Sequence, residues 1–289
     1  MVKGFNLFMT GATSTAKVAG LTLAFGLSGV LSTVSAQDSN TEASNAPMWM
    51  MGEVHDNAQG HFYRLKDLES NLGGDWRPAI LMEQFNVNQQ KALTDAWQTC
   101  KTAQCVIDTA GGVKGWDWDL YKPLISLALK YELPLVAANL SNAQVKAVMK
   151  DGFSAVFDDE TIKAYKLDQP LPQPWLDNQR KLITKSHCNA LPADAIDPMV
   201  KAQAARDVKY AQLMQEYSTQ GAVLIAGNGH VRRDLGVMQW LPANLASRVK
   251  VAGYVEPSGI DALLYDVMRV VEPQKRPDPC AALKKGQTS

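Results

Sequence analysis

The sequence is poor in histidine and cysteine, with four of each in 289 residues, and it has no surplus of charge: 29 Lys and Arg stand against 29 Asp and Glu. The missing basic excess argues against a nucleic-acid partner, which would need a positive stripe. No Asp or Glu precedes Asp38. Beyond residue 36 there is no apolar run approaching the roughly 20 residues of a spanning helix. No CxxC pair occurs among the cysteines, which weakens any case for thiolate metal ligation. No internal repeat is present.

What stands at the acid-free start reads as a secretory signal over residues 1–36. Lys3 and Lys17 supply positive charge, Val18–Leu31 is mostly apolar, and Val34-Ser35-Ala36 gives small residues before Gln37. Gln37 rather than Cys follows, so a lipid anchor is not expected. The alternative, a retained membrane anchor, is disfavoured by the short, glycine-containing apolar stretch. Setting the signal aside leaves 253 of the 289 residues, with 27 basic (29 less Lys3 and Lys17) and 29 acidic, a net charge of −2. That length suits one large core. The expected organisation is a polar leader over 37–46, one α/β domain over 47–273 and a tail over 274–289, periplasmic or secreted and soluble after cleavage. Export also predicts disulfides. Four thiols allow three pairings; the short spacing favours Cys100–Cys105, with Cys188–Cys280 as the second bridge.

Short apolar runs alternate with longer helical patterns. Met48–Met51, Ala79–Met82, Leu135–Ala138 and Ala222–Ala226 are almost continuously apolar, the pattern of parallel strands buried on both faces. Helices are predicted at Phe62–Leu72, Val87–Trp97, Tyr121–Tyr131 and Pro198–Tyr217, the last with Val200, Ala204, Val208, Ala211 and Met214 on one stripe. The alternation implies right-handed βαβ units. Residues 141–198 break the rhythm around the Pro-rich Gln169–Pro174 and predict a helical insertion over the sheet edge. Arg248–Val255 and Leu263–Val271 return to strand, the second as an edge. The fold class is therefore α/β, with a mostly parallel central sheet flanked by helices.

In such a sheet the carboxyl ends of the strands share one edge, where ligands bind. Three of the predicted strand ends carry chemistry: Gly52-Glu53-Val54-His55, Glu83-Gln84 and Gly227-Asn228-Gly229-His230. Ionisable groups at a water-poor rim are costly unless paired or bound to a ligand. Imidazole can ligate a metal or move a proton near neutral pH. Glu53 either belongs to this site or caps the helix starting near Asn57. His61 is either packing or site, and His187 next to Cys188 reads as structural. The aromatics of Trp116–Tyr121 either stack on a flat ligand or roof the core.

Four stretches together resemble the ChaN-like haem-binding family. They are Gly52–Asn57 with His61; WDLYKPLISLALKYELPLVAANL over 118–140; HCNALP over 187–192 with MVKAQAARD over 199–207; and LIAGNGHVRRDLG over 224–236. The wider superfamily includes erythromycin esterases and Tiki-type metalloproteases, whose two Gly-x-x-His elements and intervening Glu match His55, His230 and Glu83 here. The resemblance implies haem (iron protoporphyrin) binding in the cell envelope, an iron-uptake setting with envelope haem-uptake partners, and pairing of two copies around stacked haems. Known haem ligands include His and Tyr, and His55, His61, Tyr121 and His230 are the candidates. The alternative is a metal-dependent hydrolase in the same pocket, with Mn, Fe or Zn on His55, Glu83 and His230 and Glu53 as the base on a metal-bound water; a metal-free route with His55 as the base and Glu53 orienting it is what the esterase relatives suggest. Whether the chain is an enzyme stays open at this stage.

Overall fold

A computed structural model of the chain describes residues 46–278, 280 and 281. The signal-peptide reading (1–36), all but the last residue of the leader and the end of the tail lie outside the described residues.

Chain order runs β1 (Met48–Glu53), α1 (Ala58–Asn71), β2 (Ala79–Asn86), α2 (Gln90–Thr99), α3 (Ala103–Thr109), α4 (Trp118–Lys130) and β3 (Leu135–Asn139). The insertion follows, with α5 (Asn142–Asp151), α6 (Asp159–Ala164), α7 (Gln173–Ser186) and the long α8 (Ala193–Glu216). Then come β4 (Ala222–Gly227), the single turn α9 (Asn228–Val231), β5 (Val249–Val255) and β6 (Val267–Val270). The six strands pair in the order β3-β2-β4-β1-β5-β6, and every pairing is parallel. All residues of β1, β3 and β4 are buried, which is why these segments read as continuous apolar runs.

Period two divides each strand between two cores. Trp49, Met51, Ile80, Met82, Val223 and Ile225 face α1–α4, against Leu68, Leu124 and Ile125. Met48, Met50, Leu81 and Leu224 face α8, against Tyr210, Ala211 and Met214. Burying these side chains removes roughly 1.5–3 kcal/mol each of apolar exposure. The insertion carries small cores of its own: Leu140, Val148, Phe157, Ala205 and Val208 form one, and Trp175, Ile183, Val200, Ala204 and Leu235 another.

Several boundaries differ from the sequence reading. β1 and β2 run on through Glu53 and Asn86, so Glu53, Glu83 and Gln84 are strand residues. The helix expected from Pro198 begins at Ala193 with Pro198 inside it; the ring's fixed φ is helical, but its missing N–H removes one hydrogen bond. The last strand is only Val267–Val270, and a 3-10 turn over Ala262–Leu264 takes the start of the expected segment. Helix α3 had no separate signal. Its N-cap Thr102 accepts from the Cys105 amide, within the loop closed by the Cys100–Cys105 bridge. A second bridge joins Cys188, just past α7, to Cys280 in the tail.

Candidate functional site

Strand register brings the chemistry together. Glu53 is paired with Gly227 across β1 and β4, and Glu83 follows Met82, which is paired with Ile225. Parity then sorts the side chains. Glu53 and Gln84 share the faces of Met51 and Met82, toward α1 and α4. Glu83 shares the face of Leu81, toward α8.

On the first face Glu53 is almost wholly buried and anchors a network. Its Oε1 accepts from the Tyr121 hydroxyl (2.5 Å), from His55 Nδ1 (2.9 Å) and from Gln84 Nε2 (3.2 Å). Its Oε2 pairs with the buried Arg64 guanidinium. Burial pulls Arg64 down to about 10, with Tyr121 and Tyr254 opposing. His61 donates from Nε2 to the His55 carbonyl and accepts from Arg64 at Nδ1, each at 2.9 Å, so both its nitrogens are engaged; burial lowers its pKa. Tyr121 is fully buried, and burial raises its phenol above the usual value. Asn57, not Glu53, caps α1, its side chain accepting from the Gly60 amide.

On the second face Glu83 Oε2 accepts the Gly227 amide at 2.7 Å, and its Oε1 lies 3.6 Å from His230 Nε2. His230 Nδ1 is 2.6 Å from Asp207 Oδ1, and Gln203 reaches the same ring. Burial pushes Asp207 up to about 6, against the pull of His230; its Oδ2 has no hydrogen-bond partner among the described residues. Burial disfavours the His230 cation, yet Asp207 and Glu83 together hold its pKa above the ordinary value. Burial likewise opposes ionisation of Glu83, and the nearby His230, His55 and Gly227 amide hold its pKa down.

His55 links the two halves. It sits in the β1–α1 turn, with a side chain 46% exposed. With Nδ1 donating to Glu53, the neutral ring carries its lone pair on Nε2. The ring lies over Gly227, where an added Cβ would fall 3.1 Å from Cε1 and Nε2. His55 also meets Trp116 edge-on, with ring centroids 4.9 Å apart. Together with Glu83, Asn139, Lys114 and Arg206 these two rings line a cleft of about 480 Å³. Three larger hollows, one lined by Trp97 and Lys130, one inside the insertion and one beside Tyr165 and Trp240, lie away from this network.

Of the sequence candidates, Glu53, His55, His61 and Tyr121 gather on one face and Glu83 and His230 on the other; of these, His55 and Glu83 line the cleft. His187 bonds instead to the Ile183 carbonyl at the end of α7. Arg64, Gln84, Gln203, Arg206 and Asp207 were not singled out in the sequence. The signal for Asp207 was a carboxylate on the apolar stripe of α8, one turn from Ala204 and Ala211. Among the described residues no group of three or more His, Cys, Asp or Glu could hold a metal ion. The divalent-metal alternative on His55, Glu83 and His230 is therefore unsupported: Glu83 and His230 spend their polar atoms on Gly227, Asp207 and Gln203.

Comparison with known proteins agrees with this architecture. No curated protein matches the sequence. Among solved structures, ChaN of Campylobacter jejuni, described as binding haem cofacially, superposes with a TM-score of 0.62 at 18% identity, over 78% of this chain and 87% of that one. An erythromycin esterase mutant in its open conformation matches with a TM-score of 0.43 at 12% identity, over 74% and 71%. A type III effector matches at 0.42 and 12%, over 81% and 91%. The model of one family, described as haem-binding uptake, Tiki superfamily, ChaN, matches residues 40–241, and the chain belongs to that family.

Proposed function

We propose that the chain is an exported haem-binding protein of the cell envelope, acting in haem or iron acquisition or handling, and that haem sits in the His55 cleft. Family membership supports haem as the ligand. The observation that carries the placement is His55: its imidazole is oriented through Nδ1 by a buried carboxylate, and among the described residues no hydrogen bond engages its Nε2. This is the carboxylate–histidine arrangement that fixes the tautomer and basicity of a metal-ligating ring. The other three candidates are committed elsewhere. Tyr121 gives its proton to Glu53, His61 uses both nitrogens, and His230 is buried against Asp207.

The residues present fit the ligand. A flat macrocycle needs an aromatic wall, an iron-facing nitrogen and cations for its carboxylates. Trp116, His55 and the pair Lys114 and Arg206 line one cleft. Bound haem supplies an iron centre for ligation; the chain supplies orientation through Glu53, the wall and the polar floor. Export and two disulfides suit an oxidising envelope compartment, and partner uptake components and a homodimer belong to the same reading.

Titration of purified protein with hemin, followed by absorption, tests it. The wild type is expected to give a saturable Soret shift at micromolar haem. His55→Ala should lose that spectrum while keeping its fold, and Tyr121→Phe should retain it. A wild type with no saturable shift would end the reading.

One observation favours a second reading. A buried carboxylate orienting an imidazole that faces a cleft is also the geometry of a general base, so Glu53 and His55 could support metal-free hydrolysis. An ester-hydrolysis screen decides it: turnover unaffected by chelator and abolished in His55→Ala supports it, and no turnover above the His55→Ala background removes it.

A further inference from the structure

The cleft holds two cations that have no carboxylate of their own. Among the described residues neither Arg206 nor Lys114 lies within ion-pair distance of an Asp or Glu. Three acids line the same cleft, Asp56, Glu83 and Asp117: Arg276 takes Asp56, the Asp119 amide donates to Asp117, and Glu83 accepts the Gly227 amide and faces His230, while Glu83 and the buried Asp207 both feel the Arg206 charge at longer range. Arg206 enters from α8 and is held through Nη1 by the Asn139 side chain and the Leu140 carbonyl. A guanidinium has five N–H donors in a fixed fork. Both bonds leave from Nη1, and the N–H groups of Nε and Nη2 belong to a side chain that lines the cleft and is only partly buried. Lys114 stands exposed on the opposite loop, two residues before Trp116.

We propose that Arg206 is a carboxylate-recognising group for the ligand of the His55 cleft, with Lys114 as a weaker second contact at the rim. The proposal rests on the haem reading and deepens it: the ligand class is a flat tetrapyrrole bearing free carboxylate arms. Arg206 is pre-aimed by Asn139, so its fork meets a planar carboxylate with little ordering cost. Lys114 is a solvated point charge and contributes through attraction that salt screens. The cleft then distinguishes the porphyrin with free carboxylates from its diester chiefly through the two-pronged Arg206 contact, with Lys114 adding a smaller charge effect and Trp116 and His55 engaging both alike.

The test compares hemin with hemin dimethyl ester on wild type, Arg206→Gln, Arg206→Lys and Lys114→Gln, by Soret titration and quenching of tryptophan fluorescence, with circular dichroism as the check of fold. Wild type should bind hemin about tenfold or more tightly than the diester, the scale of one charge-assisted bidentate pair. Arg206→Gln should lose most of that preference, with hemin binding falling more than diester binding. Lys114→Gln should lose a smaller part, confined to low salt. If Arg206→Gln does not fold, Arg206→Lys keeps the charge without the fork and should lose most of the preference; full preference there overturns the proposal. Equal binding of both ligands by wild type, or a preference unchanged in Arg206→Gln, overturns it while leaving haem binding intact. Wild type that binds neither ligand removes the haem reading and this proposal with it.

Discussion

Glu53 and Arg64 form an ion pair in which both side chains are cut off from water, 1% and 2% exposed. Such a pair is costly to break from one side, because the survivor keeps its charge in a medium that solvates it poorly. Glu53→Gln should therefore destabilise the fold by about 3–5 kcal/mol. Replacing both residues, as in Glu53→Gln with Arg64→Met, should recover part of that loss. Urea unfolding measures both; a single-variant loss below about 1 kcal/mol would mean the pair is already well hydrated.

Gly227 tests the placement of His55. Its φ of −56° suits any residue, so the only obstacle to a side chain is the imidazole 3.1 Å away. Gly227→Ala should leave stability within about 1 kcal/mol of wild type, because the half-exposed ring can swing outward. Haem affinity should fall about tenfold, since His55 loses its aim. Equal haem affinity in the two proteins would place the ligand elsewhere.

The tail carries an acid-sensitive clamp. Arg276 grips Asp56 and Glu256 at once, through four contacts of 2.7–2.9 Å. Its hydrogen bonds, aided by Asn57 and the Gln274 amide and opposed by burial, hold Glu256 down to about 2 from an ordinary 4.5. A depressed folded pKa adds stability above the unfolded value that is lost as pH falls through the folded one. The stability difference between wild type and Glu256→Gln should thus be full above pH 4.5 and shrink toward pH 2. Thermal melts across that range measure it, and a constant difference would show that Glu256 is not the titrating group.

The two disulfides should differ in weight. The chain-entropy account scales with the enclosed loop, and the separations are 92 residues for Cys188–Cys280 and 5 for Cys100–Cys105. Serine replacement of the long-range pair should cost roughly 2–3 kcal/mol more than replacement of the short one. Equal losses in denaturant unfolding would point to an enthalpic origin for both.

The sheet was legible in the sequence because strands buried on both faces carry almost no polar residues, as in Ala79–Met82 and Ala222–Ala226. The parallel order followed from helices lying between them. The convergence of Glu53, His55, Glu83 and His230 on one edge was legible for the same reason. Their division between two faces was not, although adjacent Glu83 and Gln84 must point opposite ways once β2 is known to continue through Asn86. Arg64 and Asp207 were hidden because each looks like a solvated charge on an amphipathic helix; only the three-dimensional pairing shows them to be buried counter-charges. The start of α8 was misjudged because Pro198 resembles a helix beginning, and the packing that tolerates it is tertiary.

The bridge from Cys188 to Cys280 closes a covalent ring that contains β4, β5, β6 and His230. A single cut in any loop of that ring, such as the turn bearing the 89% exposed Leu263, leaves both fragments joined. Arg276 lies within the ring and grips the residue beside His55. One proteolytic cut in these loops would therefore nick the molecule without shedding any wall of the cleft.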